Sequence, residues 1–290
     1  MDWKGISIFL LITFGITYAV ETALILSGIS PIVKGLGQYA VVAVMWVPAL
    51  AALLTIRLVT HEGFGLLHIR IGGWRPYVSA GLAVPGCFIL IYGLTWMLGL
   101  GRPDWTMLYF KGQFAAVGAK APDIPPPQII WPVLFGVTLV VAPFFNSVLA
   151  FGEEMGWRGY LLPKLMPLGK FRAYGLLGMI WGLWHWPLVL AGFMYPGAPL
   201  AGVLMFTALT TALGIYINEL TLRHRSCVLA GWIHGVFNTQ RLGVWALLFP
   251  RVHPWLGGFS GLPGIGIWIL LGLWVYRRGS SMEKGMQPGP

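Results

Sequence analysis

The chain has 290 residues, 57% of them hydrophobic and only 10% charged, with a mean hydropathy of +0.75. A soluble domain carries about 25% charged residues, so this composition excludes water as the main solvent. The net charge of +10 does not point to nucleic acid, because Lys and Arg stand singly or in pairs between apolar runs and form no basic face.

Apolar runs fall at 5–27, 38–60, 77–101, 128–151, 172–194, 198–220, 226–249 and 259–276. Each is close to the roughly 20 residues that cross a bilayer as a helix. They lack the alternation of barrel strands, so the expected fold class is all-α, a polytopic bundle of about eight transmembrane helices. The first run follows Lys4 but is too long for a removed signal segment and lacks a small-residue cleavage site. Between the runs, Lys4, Arg57, Arg70, Arg75, Lys164, Lys170, Arg172, Arg223, Arg225, Arg277, Arg278 and Lys284 fall on one side, and Lys34, Arg102, Lys111, Lys120, Arg241 and Arg251 on the other. The richer side is read as cytoplasmic, which puts both termini there, in the cell membrane if the source is prokaryotic. The connection 102–127, with Pro103, Pro122 and Pro125 to Pro127, is expected to be extended and to lie outside. Residues 1–278 read as a single domain and 279–290 as a disordered cytoplasmic tail. Cys87 and Cys227 have no C-x-x-C spacing and set no redox compartment.

Chemistry-bearing residues are few, which makes their positions informative. Glu153 and Glu154 stand side by side where the fourth run passes into Met155, Gly156, Trp157 and Arg158. A carboxylate at mid-membrane costs about 2.5–3.5 kcal/mol on insertion scales, so an adjacent pair asks for a reason. On a helix Glu154 and Arg158 share a face at i, i+4, which lets Arg158 neutralise Glu154 and leaves Glu153 on another face to act as a general base. The bland reading is a solvated ion pair at the interface. The fifth run carries Trp181, Trp184 and His185, where a lone histidine is more often structural than functional. The seventh carries His234 and Asn238 one turn apart, a pair that interhelical hydrogen bonding would also explain. Polar groups on separate apolar spans face the bundle interior, so these residues should converge. Gly178 and Gly182 give small-residue spacing for close helix approach. Glu21 and Glu219 lack such company and read as interface or structural residues.

In order, Glu153-Glu154-x-x-x-Arg158, Trp181-x-x-x-His185 and His234-x-x-x-Asn238 resemble the CPBP family of intramembrane proteases. That family includes the Ras-converting type of CAAX prenyl protease and bacterial relatives linked to bacteriocin processing or self-immunity. The resemblance covers about 153–238. It implies an intramembrane endopeptidase in which Glu153 and His185 activate a water and His234 and Asn238 stabilise the oxyanion, with Glu154 and Arg158 as an orienting pair. It also implies membrane lipid and a peptide or protein substrate as partners, and no cofactor. Trp157, Trp181 and Trp184 are candidates for the substrate pocket. The second motif usually opens with Phe where this chain has Trp181, which keeps an aromatic wall. A prenylated CAAX protein, trimmed of its C-terminal tripeptide, is the substrate of only part of the family, and nothing in these residues selects that part.

Two other readings stand beside it. Glu153, His185 and His234 could ligate zinc with water in the fourth position, although there is no H-E-x-x-H. The same cluster could also serve a transporter or a non-catalytic membrane scaffold.

Overall fold

The computed structural model describes residues 1–31, 35–116, 120 and 122–285. Lys34 of the charge pattern and residues 286–290 of the expected tail lie outside them. Among the described residues the protein is all-helical, with one isolated bridge, Gly101 to Val252, as its extended pairing. In chain order the main helical segments are α1 (Trp3–Leu26), α2 (Leu36–Thr60), α3 (Arg75–Met97), the short α4 (Leu108–Ala116), α5 (Pro127–Leu168), α6 (Lys170–Trp184), α7 (Pro199–His224), α8 (Cys227–Leu242) and α9 (Leu262–Gly285). Every expected apolar run coincides with one of them. Five, namely α1, α2, α3, α5 and α7, are long and apolar enough to cross a bilayer. The protein is an integral membrane protein.

Two expectations need correction. The connection 102–127 contains α4, because its prolines flank Leu108–Ala116 and none interrupts it. Asp104 starts that helix, its carboxylate accepting from the Thr106 amide at 3.1 Å and the Tyr109 amide at 2.8 Å. At the other end, α9 runs on to Gly285, past the boundary at residue 278 that composition suggested.

Local backbone chemistry bends the helices that carry the motifs. The long helix α5 contains two π turns, Val137–Val141 and Met155–Leu161, the second beginning directly after Glu154. Such turns are rare and concentrate at functional sites. The run that forms α6 breaks at His185 and resumes as Trp186–Leu190, with Pro187 in its first turn. Pro187 has no amide to offer the carbonyl of Leu183, and the hydroxyl of Tyr18 on α1 donates to that carbonyl at 2.5 Å. The break is thus satisfied from a neighbouring helix.

Small residues set the helix spacing around this region. A methyl group at Gly178 would sit 2.5 Å from Thr211 Cα, and one at Gly182 would sit 2.6 Å from Thr207 Cα, so α6 lies backbone-close to α7. Gly231 plays the same part between α8 and α5, 3.1 Å from Phe151 Cα by the same measure. That contact brings His234 and Asn238 alongside the two glutamates.

Candidate active site

Glu154, buried at the end of the regular part of α5, is held by two partners. Arg158 Nη1 donates to its Oε1 at 3.0 Å, and His234 Nδ1 lies 2.8 Å from the same oxygen. A carboxylate paired with an arginine only accepts, so His234 carries its proton on Nδ1 and turns Nε2 away from Glu154. Arg158 is itself fixed from α7, its Nε donating to Asn218 Oδ1 at 2.9 Å, and its guanidinium lies 4.3 Å from the Trp181 ring centre. The i, i+4 pairing expected from the sequence is therefore present. It extends to His234, which sequence spacing cannot reveal.

Glu153 faces elsewhere, as the 100° step predicts. Trp181 Nε1 donates to its Oε2 at 3.0 Å. The tryptophan found where the motif usually has phenylalanine is therefore more than a wall, because it grips the carboxylate. His185 sits in the break after α6 with φ −88° and ψ −1°, in the sparsely populated bridge region. Its amide donates to Gly182 O at 3.1 Å, one residue short of the regular α partner. The freed carbonyl of Trp181 then lies 2.9 Å from His185 Nδ1. A carbonyl accepts only, so the proton is on Nδ1 and Nε2 is left for other partners.

Glu153, His185, His234 and Asn238, from three separate helices, line one cavity of about 370 Å³. Trp181 and Trp184 line it too, with Leu188, Phe193, Phe206, Leu209 and Phe237 among its apolar walls. Trp157 does not. It is fully buried behind the cavity, edge-on to Phe9 of α1 at 5.7 Å and to Trp184 at 5.8 Å, so the expected pocket role of Trp157 is replaced by packing. A wider, open depression of about 940 Å³ around Arg102, Tyr109 and Arg251 shares no residue with the cluster.

Two lining residues were passed over in the sequence. Glu21 of α1, read as structural, is 1% exposed and lines the cavity, and its Oε2 has no hydrogen-bond partner among the described residues. Arg241, read as a topology charge, also lines it. Distance along the chain hides Glu21, whereas the spacing Asn238 to Arg241 puts the arginine one turn further along the same helix, a signal that was available. Glu219 is structural as expected, gripped by Lys170 at 3.0 Å, Tyr174 at 2.9 Å and Arg223 at 3.4 Å.

For zinc the fit is poor: among the described residues no three His, Cys, Asp or Glu side chains are placed to share an ion.

A comparison with known families covers the same stretch. The family model described as "Type II CAAX prenyl endopeptidase Rce1-like" matches residues 128–240. A protein of Methanococcus maripaludis described as "CAAX prenyl protease 2" is 34% identical over 113 residues, which make up 37% of this chain and 42% of that relative. The shared part is thus less than half of either protein. The stretch matched by the family model, 128–240, contains Glu153, Glu154, Arg158, Trp181, His185, His234 and Asn238. Over residues 128–240, therefore, this chain is similar to the Rce1-like type II CAAX prenyl endopeptidases.

Proposed function

We propose that the protein is an intramembrane endopeptidase of the glutamate type, acting on a lipid-modified CAAX-type chain end presented from the cytoplasmic side. The observation that carries this reading is the shared cavity of Glu153, His185, His234 and Asn238 inside an apolar bundle. Water held between Glu153 and His185 Nε2 gives its proton to Glu153 as its oxygen attacks the scissile carbonyl. The carbonyl π electrons move onto oxygen, and the oxyanion is met by the Asn238 amide N–H and by His234. The bond to the leaving nitrogen then breaks as Glu153 returns the proton to that nitrogen.

The geometry of Glu154 adds a condition. His234 spends its Nδ1–H on Glu154, so it has an Nε2–H for the oxyanion only as an imidazolium. Glu154 and Arg158 thereby orient and charge-balance His234 and take no part in bond making.

The test uses purified full-length protein, wild type and Glu153→Gln, with a fluorogenic farnesylated CAAX peptide and its unprenylated twin, each with and without a strong chelator. Cleavage by wild type alone, surviving chelation and faster on the farnesylated peptide, is the expected result. Equal rates for Glu153→Gln would remove the role given to Glu153, and loss on chelation would restore the zinc reading. Equal rates on the two peptides would remove prenyl recognition. No cleavage by wild type would favour a scaffold or transporter.

A further inference from the structure

Arg241 poses a question the reaction above does not answer. Among the described residues it is the only Lys or Arg lining the cavity. Among the described residues it has no carboxylate within ion-pair distance. Its contacts are Met194 Sδ, 3.5 Å from Nη1, and the Phe193 ring, whose centre is 5.1 Å from the guanidinium carbon. A thioether is a weak acceptor and the ring offers only its π face. A guanidinium lining a largely apolar cavity is expensive, and it persists where it meets a substrate or a partner. The carboxylates of Glu153 and Glu21 line the same cavity, yet neither bonds to it.

The spacing along α8 suggests the partner. Arg241 follows Asn238 by three residues and His234 by seven, so it stands about 10 Å along the helix axis from His234 at 1.5 Å per residue. Three extended residues also span about 10 Å. A chain whose scissile carbonyl faces His234 and Asn238 therefore brings its end, three residues downstream, to the level of Arg241. The cavity's walls include the apolar Phe193, Phe206, Leu209 and Phe237, which suits apolar side chains in those three positions. The volume of about 370 Å³ lies within the roughly 300–1,000 Å³ of small-ligand pockets.

We propose that Arg241 binds the free C-terminal carboxylate of the substrate as a two-pronged ion pair and so sets the cleavage point three residues from the chain end. This specificity role rests on the endopeptidase reading above. A planar guanidinium matches a carboxylate through two parallel N–H···O bonds, which a lysine cannot reproduce.

The experiment compares one farnesylated CAAX peptide as free acid and as C-terminal amide, on full-length wild type, Arg241→Met and Arg241→Lys, separating kcat from KM. A charge-assisted bond predicts that wild type prefers the acid by about 10- to 150-fold in kcat/KM, mostly through KM. The preference should collapse to about one in Arg241→Met and return in part in Arg241→Lys. Equal rates of wild type on acid and amide would overturn the proposal while leaving the endopeptidase intact, and need no variant to fold. A preference that survives in Arg241→Met would also overturn it. Failure of wild type to cleave either peptide would overturn the endopeptidase reading, and this one with it.

Discussion

The hydroxyl of Tyr18 donates to the carbonyl of Leu183 at 2.5 Å, the acceptor that Pro187 leaves without an amide. A helix from the unmatched N-terminal part of the chain thus stabilises the break that holds His185. Tyr18→Phe leaves a partly buried carbonyl unpaired, so a loss of about 1–2 kcal/mol is expected. If the bond also positions His185, kcat falls with little change in KM. Thermal unfolding in detergent measures the first effect and steady-state kinetics the second; an unchanged midpoint and rate would remove the argument.

Trp181 and Trp184 both donate through Nε1, but to different ends. Trp181 reaches Glu153 at 3.0 Å and Trp184 reaches Thr17 of α1 at 2.8 Å. Replacing Trp181 by Phe removes a donor from the proposed base, so the expected loss is in kcat, about tenfold for a bond of roughly 1.5 kcal/mol. Trp184→Phe should instead lower the unfolding midpoint and spare the ratio of kcat to wild type. A reversed pattern would contradict the roles read from these two bonds.

Arg158 and Glu154 are both fully buried and 3.0 Å apart. Removing Arg158 alone strands a buried carboxylate and should cost about 3–5 kcal/mol, enough to reduce folded yield. Removing both charges with apolar residues of similar size, as in Arg158→Met with Glu154→Leu, should recover most of that stability. Activity should not return, because His234 has lost its carboxylate. A double variant that is stable and fully active would show that the pair is structural only.

Outside the membrane, Lys164 Nζ bonds Asp2 at 2.8 Å and holds its carboxyl below the ordinary value, helped by the Gly5 amide at 2.9 Å. A lowered carboxylate contributes stability above its unfolded value, near pH 3.9, and loses it as the pH falls through the folded value. Asp2→Asn, which keeps the helix cap, should therefore cost under about 1 kcal/mol at neutral pH for so exposed a pair. The gap to wild type should close as the pH falls below about 4. Unfolding midpoints at pH 7 and pH 3 measure it, and a gap that widens in acid would refute the linkage.

Much of the site was legible because period and cost are visible in one dimension. Glu154 and Arg158 are one turn apart, as are His234 and Asn238, and polar groups on apolar helices have few places to go but inward. What was not legible depends on backbone departures and on contacts distant in sequence. The π turn after Glu154, the displaced amide of His185 and the Glu154–His234 contact are of this kind. The cavity role of Arg241 is hidden for another reason, since a cation near a helix end looks the same whether it marks topology or lines a cavity. The five stretches both long and apolar enough to span coincide with strong apolar runs, whereas α6 and α8, at 15 and 16 residues, are shortened by the breaks at His185 and Gly243.

The close approach of α6 to α7 gives the last prediction, because two glycines on one helix differ in surroundings alone. A Cβ at Gly178 would meet Thr211 Cα at 2.5 Å, while nothing lies within 4 Å of one at Gly175. Gly178→Ala must push the helices apart and should cost about 1–3 kcal/mol, as overpacking does. Gly175→Ala meets open space in a helix interior, where alanine is favoured by roughly 0.5–1 kcal/mol, and should be neutral or stabilising. Shifting α6 also moves Trp181 and His185 against the α5 glutamates, so Gly178→Ala should lose activity out of proportion to its folded yield. Similar midpoints for the two variants would mean that α6 and α7 do not pack backbone to backbone at this point.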